Sequence, residues 1–131
     1  MNKKIMVVDD EPDILTALRV IFEHYGYAVT TVETGNECIK ELEGGFRGVV
    51  LMDIMMPKKD GWTTIKEIVD KGLTKNIAIE IITGKGTKDH EKMIGLEPYI
   101  YDYLAKPFDP EELISSVETL SVKLFSKGVK D

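Results

Sequence analysis

The chain has a single cysteine, Cys38, in 131 residues. No internal disulfide can form, so the fold rests on burial alone, as expected in a reducing compartment. Histidine is almost as scarce. His24 and His90 both fall on predicted helices rather than at strand ends, and read as solvated surface. Positive charge is in the minority, with 17 Lys and Arg against 23 Asp and Glu, a net −6. Without a Lys/Arg-rich run, that balance argues against a dedicated nucleic-acid surface. No apolar stretch approaches the roughly 20 residues of a membrane span. The short apolar run after Met1-Asn2-Lys3-Lys4 is too brief for a signal-peptide core. The expected location is the cytoplasm, with no membrane contact. Gly84-Lys85-Gly86 lacks the spacing of a phosphate or dinucleotide loop.

What is present is 43% hydrophobic and 31% charged, suited to one globular domain that buries about two-thirds of its unfolded surface. Gly48-Val49-Val50-Leu51-Met52-Asp53 is apolar without alternation, the pattern of a strand buried on both faces, and it ends on a carboxylate. Ile5-Met6-Val7-Val8 is a second such run, ending in Asp9-Asp10-Glu11. Tyr27–Val32, Ile77–Ile82 and Tyr101–Ala105 supply three more strands. Helices are predicted over Asp13–Tyr25 behind Pro12, after Thr34, over Trp62–Lys71, more weakly over Thr87–Ile94, and from Asp109-Pro110-Glu111-Glu112 towards Phe125. In the first of these, Ile14, Leu15, Leu18, Ile21, Phe22 and Tyr25 form one apolar face. Pro98 makes its neighbourhood a turn. Ser126–Asp131 reads as a frayed polar tail.

Five strands alternating with five helices demand a parallel sheet with helices on both faces. The simplest order is 2-1-3-4-5, a doubly wound α/β fold with its switch point between the first and third strands. The loops after those strands all leave one sheet edge. They bring Asp9, Asp10, Asp53, Thr83 and Lys106 to one crevice. Each residue alone has an ordinary reading as a cap, turn or solvated loop residue; four strand exits out of five carrying them together does not. Two carboxylates about 4 Å apart repel by roughly 4 kcal/mol at an effective dielectric near 20, and Lys106 offsets one charge of three. Either a carboxyl pKa rises or a divalent cation binds. With oxygen ligands and no His or Cys at a strand exit, Mg²⁺ is favoured over zinc.

Four motifs in order, Val7-Val8-Asp9-Asp10-Glu11-Pro12, Met52-Asp53-Ile54-Met55-Met56-Pro57 with Asp60-Gly61, Ile82-Thr83-Gly84, and Asp102-Tyr103-Leu104-Ala105-Lys106-Pro107-Phe108, resemble the receiver domain of two-component response regulators. The likeness spans residues 4–125. It implies a flavodoxin-like (βα)5 receiver over residues 1–125, followed by a tail at 126–131. It implies that Asp53 accepts a phosphoryl group from a sensor histidine kinase or phosphotransfer protein. Asp9, Asp10, Asp53 and the backbone carbonyl of Met55 then hold Mg²⁺, Lys106 and Thr83 bind the phosphoryl oxygens, and Thr83 and Tyr103 form the switch. The output expected is contact with a downstream protein or a fused output domain, and the resemblance allows dimerisation on phosphorylation. Such a domain is no enzyme beyond its own phosphorylation and autodephosphorylation.

The chain departs from the family pattern at Gly84, where alanine is usual, and at Gly95–Tyr103, where Pro98 and two extra tyrosines precede the switch strand. Met55 and Lys85 occupy positions that tune dephosphorylation in the family. Neither orients water as an acid or amide does, so a phosphoryl half-life longer than seconds is expected. Two other classes stay open: an interaction module that works without phosphorylation, and a Mg²⁺-dependent aspartyl-phosphate phosphohydrolase. The second is disfavoured by Ile54-Met55 after Asp53, where haloacid-dehalogenase-type enzymes have Asp-x-Asp, and by a chain too short for a cap.

Overall fold

The structure, a computed structural model, describes residues 2–84 and 94–129. Its elements run β1 (Lys4–Val8), α1 (Pro12–His24), β2 (Ala28–Val32), α2 (Gly35–Glu43), β3 (Gly48–Asp53), α3 (Gly61–Asp70), β4 (Ile77–Thr83), a single 3-10 turn (Glu97–Tyr99), β5 (Ile100–Ala105) and the C-terminal helix α4 (Pro110–Ser126). The weak helix expected over Thr87–Ile94 lies outside the described residues, except for Ile94 at its end. His90 and Lys85 also lie outside them.

All strand pairs are parallel and the order is β2-β1-β3-β4-β5, as the alternation of elements predicts. The central strands explain their own composition. Every residue of β3 and β4 is buried, which is why neither alternates polar with apolar. The sheet separates two cores. One packs Met6, Val50, Met52, Ile79 and Ile81 against α2 and α3 through Cys38, Leu42, Ile65 and Ile68. The other packs Ile5, Val7, Leu51 and Ile82 against α1 and α4 through Leu18, Phe22, Leu113 and Val117. Cys38 is fully buried, and burial, followed by the field of Glu41, pushes its thiol pKa up to about 12. It is a small packing residue with no reactive thiolate.

Helix starts follow the local code. Thr34 Oγ1 accepts from the Glu37 N–H at 3.1 Å, Asp60 Oδ1 from the Thr63 N–H at 2.8 Å, and Asp109 Oδ1 from the Glu111 N–H at 3.0 Å, each satisfying a donor the helix leaves open. Two expectations change. Tyr25 caps α1 and is 42% exposed, so the apolar face of α1 ends at Phe22. The C-terminal segment does not fray at 126: α4 includes Ser126, and Val129 is buried in the core. The reason is a Schellman closure. Gly128 adopts φ 89°, its N–H donates to the Phe125 carbonyl at 2.9 Å, and the Val129 N–H donates to the Leu124 carbonyl at 3.0 Å. Only glycine takes that backbone cheaply, and the turn folds Val129 back onto the hydrophobic core.

Candidate functional site

Register decides what meets at the sheet edge. Val8 pairs with Met52, Asp53 with Ile82, and Thr83 with Ala105, so β1, β3, β4 and β5 end at nearly one level. The residues that follow, or that close, those strands are the acids, the threonine and the lysine. The Lys106 N–H extends the β4–β5 ladder by donating to the Thr83 carbonyl at 2.8 Å. That bond sets where the lysine side chain begins.

Asp9, Asp10, Glu11 and Asp53 can each offer a carboxylate oxygen to one point, these oxygens lying within 4.8 Å of one another. Asp9 and Asp53 are buried, Asp10 is half-buried, and Glu11 is exposed. Lys106 answers this charge. Its Nζ donates to Asp9 Oδ2 at 2.7 Å and stands 3.5 Å from both Asp53 Oδ2 and Glu11 Oε1. Asp9 Oδ1 accepts the Glu11 N–H at 2.9 Å, and Asp53 Oδ1 accepts the Met55 N–H at 3.0 Å. Both buried carboxylates are therefore held in a fixed plane.

Burial pushes the Asp53 pKa above the ordinary carboxylate range, and the charges of Asp9 and Asp10 add to that; the Met55 N–H and Lys106 oppose it without cancelling it. Burial also works against the charge of Lys106. The hydrogen bond to Asp9 and the fields of Asp53, Asp9 and Glu11 outweigh it and leave the lysine above its usual pKa. One ammonium among four acids leaves a negative deficit, and every donor facing it is a hard oxygen. That donor set fits a divalent cation of the Mg²⁺ type.

The loop after β3 depends on a close approach. A Cβ on Gly61 would stand 2.6 Å from the Ile54 Cα and 2.7 Å from the Asp53 carbonyl oxygen, both backbone atoms that cannot turn aside. The Gly61 N–H also donates to the Ile54 carbonyl at 3.1 Å. The glycine of Asp60-Gly61 is thus required for α3 to start against the Asp53 strand. Gly61→Ala is expected to lower stability by about 2–3 kcal/mol, the upper range for overpacking, measured as the urea midpoint at unchanged m-value.

The sequence-predicted residues fall into two groups. Asp9, Asp10, Asp53 and Lys106 are in one cluster, with Met55 tied to Asp53 by its N–H. Thr83 is buried at the end of β4 beside that cluster. Tyr103 lies on β5 and packs 6.2 Å from Trp62, ring centre to ring centre. Trp62 is buried at the start of α3. His24 is exposed on α1, edge-on to Tyr25. Sequence reasoning overlooked two acids. Glu11 joins the cluster, and its signal was present in the unbroken Asp9-Asp10-Glu11 run. Glu80 is buried within β4, where its signal was a charge inside an apolar strand.

A family model for the response regulator receiver domain matches residues 5–118. Over 120 residues, 92% of this chain, the sequence is 38% identical to the alkaline phosphatase synthesis transcriptional regulatory protein PhoP of Bacillus subtilis, 49% of which is covered. Response regulator SaeR of Staphylococcus aureus is 34% identical over the same length, with 51% covered. The chain spans about half the length of these curated relatives. A response regulator receiver domain protein (CheY-like) from Methanospirillum hungatei JF-1 superposes with a TM-score of 0.89 at 40% identity, covering 96% of this chain and 99% of that one. In sheet order, in the clustered acids and in sequence along nearly its whole length, the chain belongs to the response regulator receiver domain family, whose known role is to accept a phosphoryl group.

Proposed function

We propose that Asp53 is the phosphoacceptor and that a sensor histidine kinase or phosphotransfer protein supplies the group. The observation that carries this reading is the setting of Asp53. It is a buried carboxylate at the end of β3, oriented by the Met55 N–H, 3.5 Å from a lysine ammonium and grouped with Asp9 and Asp10. In the proposed step an Asp53 oxygen attacks the phosphorus of a phosphohistidine. A P–O bond forms as the P–N bond breaks, and the bonding pair leaves with the imidazole nitrogen. The protein's part is positioning and electrostatics.

Lys106 exchanges its bond to Asp9 for one to a phosphoryl oxygen, placing a desolvated positive charge where negative charge builds. The Thr83 hydroxyl bonds a second phosphoryl oxygen. Its movement towards the group opens room for Tyr103, so the signal is a shift between two packings of the β4–β5 edge. Asp9, Asp10, Asp53 and the Met55 carbonyl are the residues that would hold Mg²⁺, with Glu11 beside them. When bound, Mg²⁺ offsets the charge of the carboxylates and phosphoryl oxygens.

The rest of the reading follows from a signalling role. Catalysis is limited to the domain's own phosphorylation and dephosphorylation. The output is protein contact, to a downstream target or a fused output domain, through the β5 and α4 face. Phosphorylation-driven dimerisation and a cytoplasmic location belong to the same proposal. Among the described residues no helix is long and apolar enough to cross a membrane.

Intact-mass spectrometry with acetyl phosphate tests it. One phosphoryl adduct is expected with Mg²⁺ and none with EDTA. No adduct in the presence of Mg²⁺ overturns the phosphoacceptor reading in favour of a module that only binds.

A further inference from the structure

Strand β4 carries one carboxylate among hydrocarbons. Glu80 is fully buried, on the same face of the strand as Ala78 and Ile82, turned towards α4. Its register partner on β3 is Leu51 and on β5 is Asp102. The second pairing exists because of a register shift: Ile79 pairs with Ile100, yet Glu80 pairs with Asp102, so Tyr101 is the extra residue of a bulge. A bulge re-aims the side chains beyond it. Here it turns Asp102 to the same face as Glu80, and the two carboxyl groups meet over one hydroxyl. Ser116 Oγ of α4 is 2.7 Å from Glu80 Oε2 and 2.9 Å from Asp102 Oδ2.

A serine hydroxyl has one hydrogen and can donate to only one of the two. Both contacts are hydrogen bonds only if one carboxyl group is protonated and donates to the serine. Exposure identifies which. Asp102 is exposed and its charge can be hydrated. Glu80 is not, and its second oxygen, Oε1, is buried with no hydrogen-bond partner among the described residues. An ionised Glu80 would therefore bury an unpaired anionic oxygen, whereas a neutral acid buries only a carbonyl. With Glu80 protonated, Glu80 donates to Ser116 and Ser116 donates to Asp102, and both contacts are satisfied. Asp102 Oδ1 in turn accepts the Tyr103 N–H at 2.8 Å.

We propose that Glu80, Ser116 and Asp102 form a proton-binding site that fastens α4 to the β4–β5 edge, and that loss of the proton releases the fastening beside Tyr103. Burial, opposed by the Ser116 hydrogen bond and reinforced by Asp102, raises the Glu80 pKa from 4.5 to about 7, which sets the pH range. Among the described residues Asp102 is the charged group that acts on Glu80; β3 presents Leu51 and α4 presents the serine. Between the two pKa values the folded chain keeps a proton that the unfolded chain has lost. Stability therefore falls as pH rises through that window and levels off above it. Once Glu80 is ionised, two carboxylates compete for one hydroxyl, and water must enter between helix and strand.

The test uses the unphosphorylated chain in EDTA, so it is independent of whether Asp53 accepts a phosphoryl group. In a carbon-13 NMR titration the Glu80 carboxyl is expected to have its midpoint near pH 7, with the Tyr103 amide shift following the same curve. Glu80→Gln should remove that titration from the Tyr103 amide and flatten the decline of Tm between pH 5 and pH 8. A Glu80 midpoint near 4.5, or a Tyr103 amide indifferent to it, overturns the proposal. Should Glu80→Gln fail to fold, the wild-type titration decides alone.

Discussion

Asp53→Asn is expected to lose phosphoryl incorporation completely and, at the same time, to melt at a higher temperature than wild type. The loss follows from chemistry: an amide oxygen is not a nucleophile for a phosphoryl group, and the neighbouring Asp9, oriented by an N–H two residues on as Asp53 is, already has its other oxygen in the bond to Lys106. Asp9 is held by Lys106 and by the Glu11 N–H, and Asp10 stands at the half-buried rim. The gain in stability follows from the site's charge. Asp53 is desolvated, and Asp9 and Asp10 disfavour its ionised form. Asparagine keeps an acceptor for the Met55 N–H and removes the charge, for a gain of about 1–3 kcal/mol without Mg²⁺. Intact mass and thermal melting on the same preparation check both halves. A persisting single adduct would move the acceptor elsewhere, and a lower Tm would mean that the carboxylate's bonds outweigh its repulsion. A functional site that opposes stability is the ordinary trade-off between the two.

Lys106→Met should act in the opposite direction on stability. Among the described residues it removes the cation that lies within 4 Å of both Asp9 and Asp53 and leaves a buried carboxylate pair uncompensated. Breaking a buried ion pair from one side costs about 3–5 kcal/mol. Mg²⁺ should restore part of that loss. With no ammonium competing for Asp9, the carboxylates are freer for a cation, and the rise in Tm between EDTA and saturating Mg²⁺ should exceed that of wild type. The rate of phosphorylation by acetyl phosphate should still fall by about 10²–10³, the typical effect of losing one preorganised charge at a transition state. Melting curves with and without Mg²⁺, and a time course of adduct formation, separate the two effects. An unchanged Tm in EDTA would show that the lysine does not hold the acids in the resting state.

How much was readable in advance depends on the range over which each feature is encoded. Strands β1, β3 and β4 were legible because burial on both faces writes a continuous apolar run. The helix starts at Thr34 and Asp109 were legible because a cap and its N–H partner lie two or three residues apart; Asp60 caps α3 in the same way, so that helix begins at Gly61, one residue before the expected Trp62. The end of α4 was local too, in Gly128 and Val129, but the polar residues around them outweighed that signal. Spacing puts Tyr25 on the apolar face of α1, yet it stands past the last turn, where spacing no longer fixes direction. Glu80 and Ser116 were invisible as a pair because they are 36 residues apart, and nothing near either one announces the other.

Readable from the residues alone were the five strands, their parallel order, four of the helices and the arrival of Asp9, Asp10, Asp53, Thr83 and Lys106 at one edge, the helix expected over Thr87–Ile94 lying outside the described residues. Those follow from short-range periodicity and from the handedness of crossovers, which leave few alternatives. Only the tertiary structure decided which acid the lysine grips, that Glu11 joins the cluster, that Trp62 packs with Tyr103, and that a bulge sets Glu80 and Asp102 on one serine. The bond from Lys106 to Asp9 joins residues 97 apart. Its length depends on register, on twist and on where each loop leaves its strand, and a difference of one residue in any of these would give the ammonium a different partner.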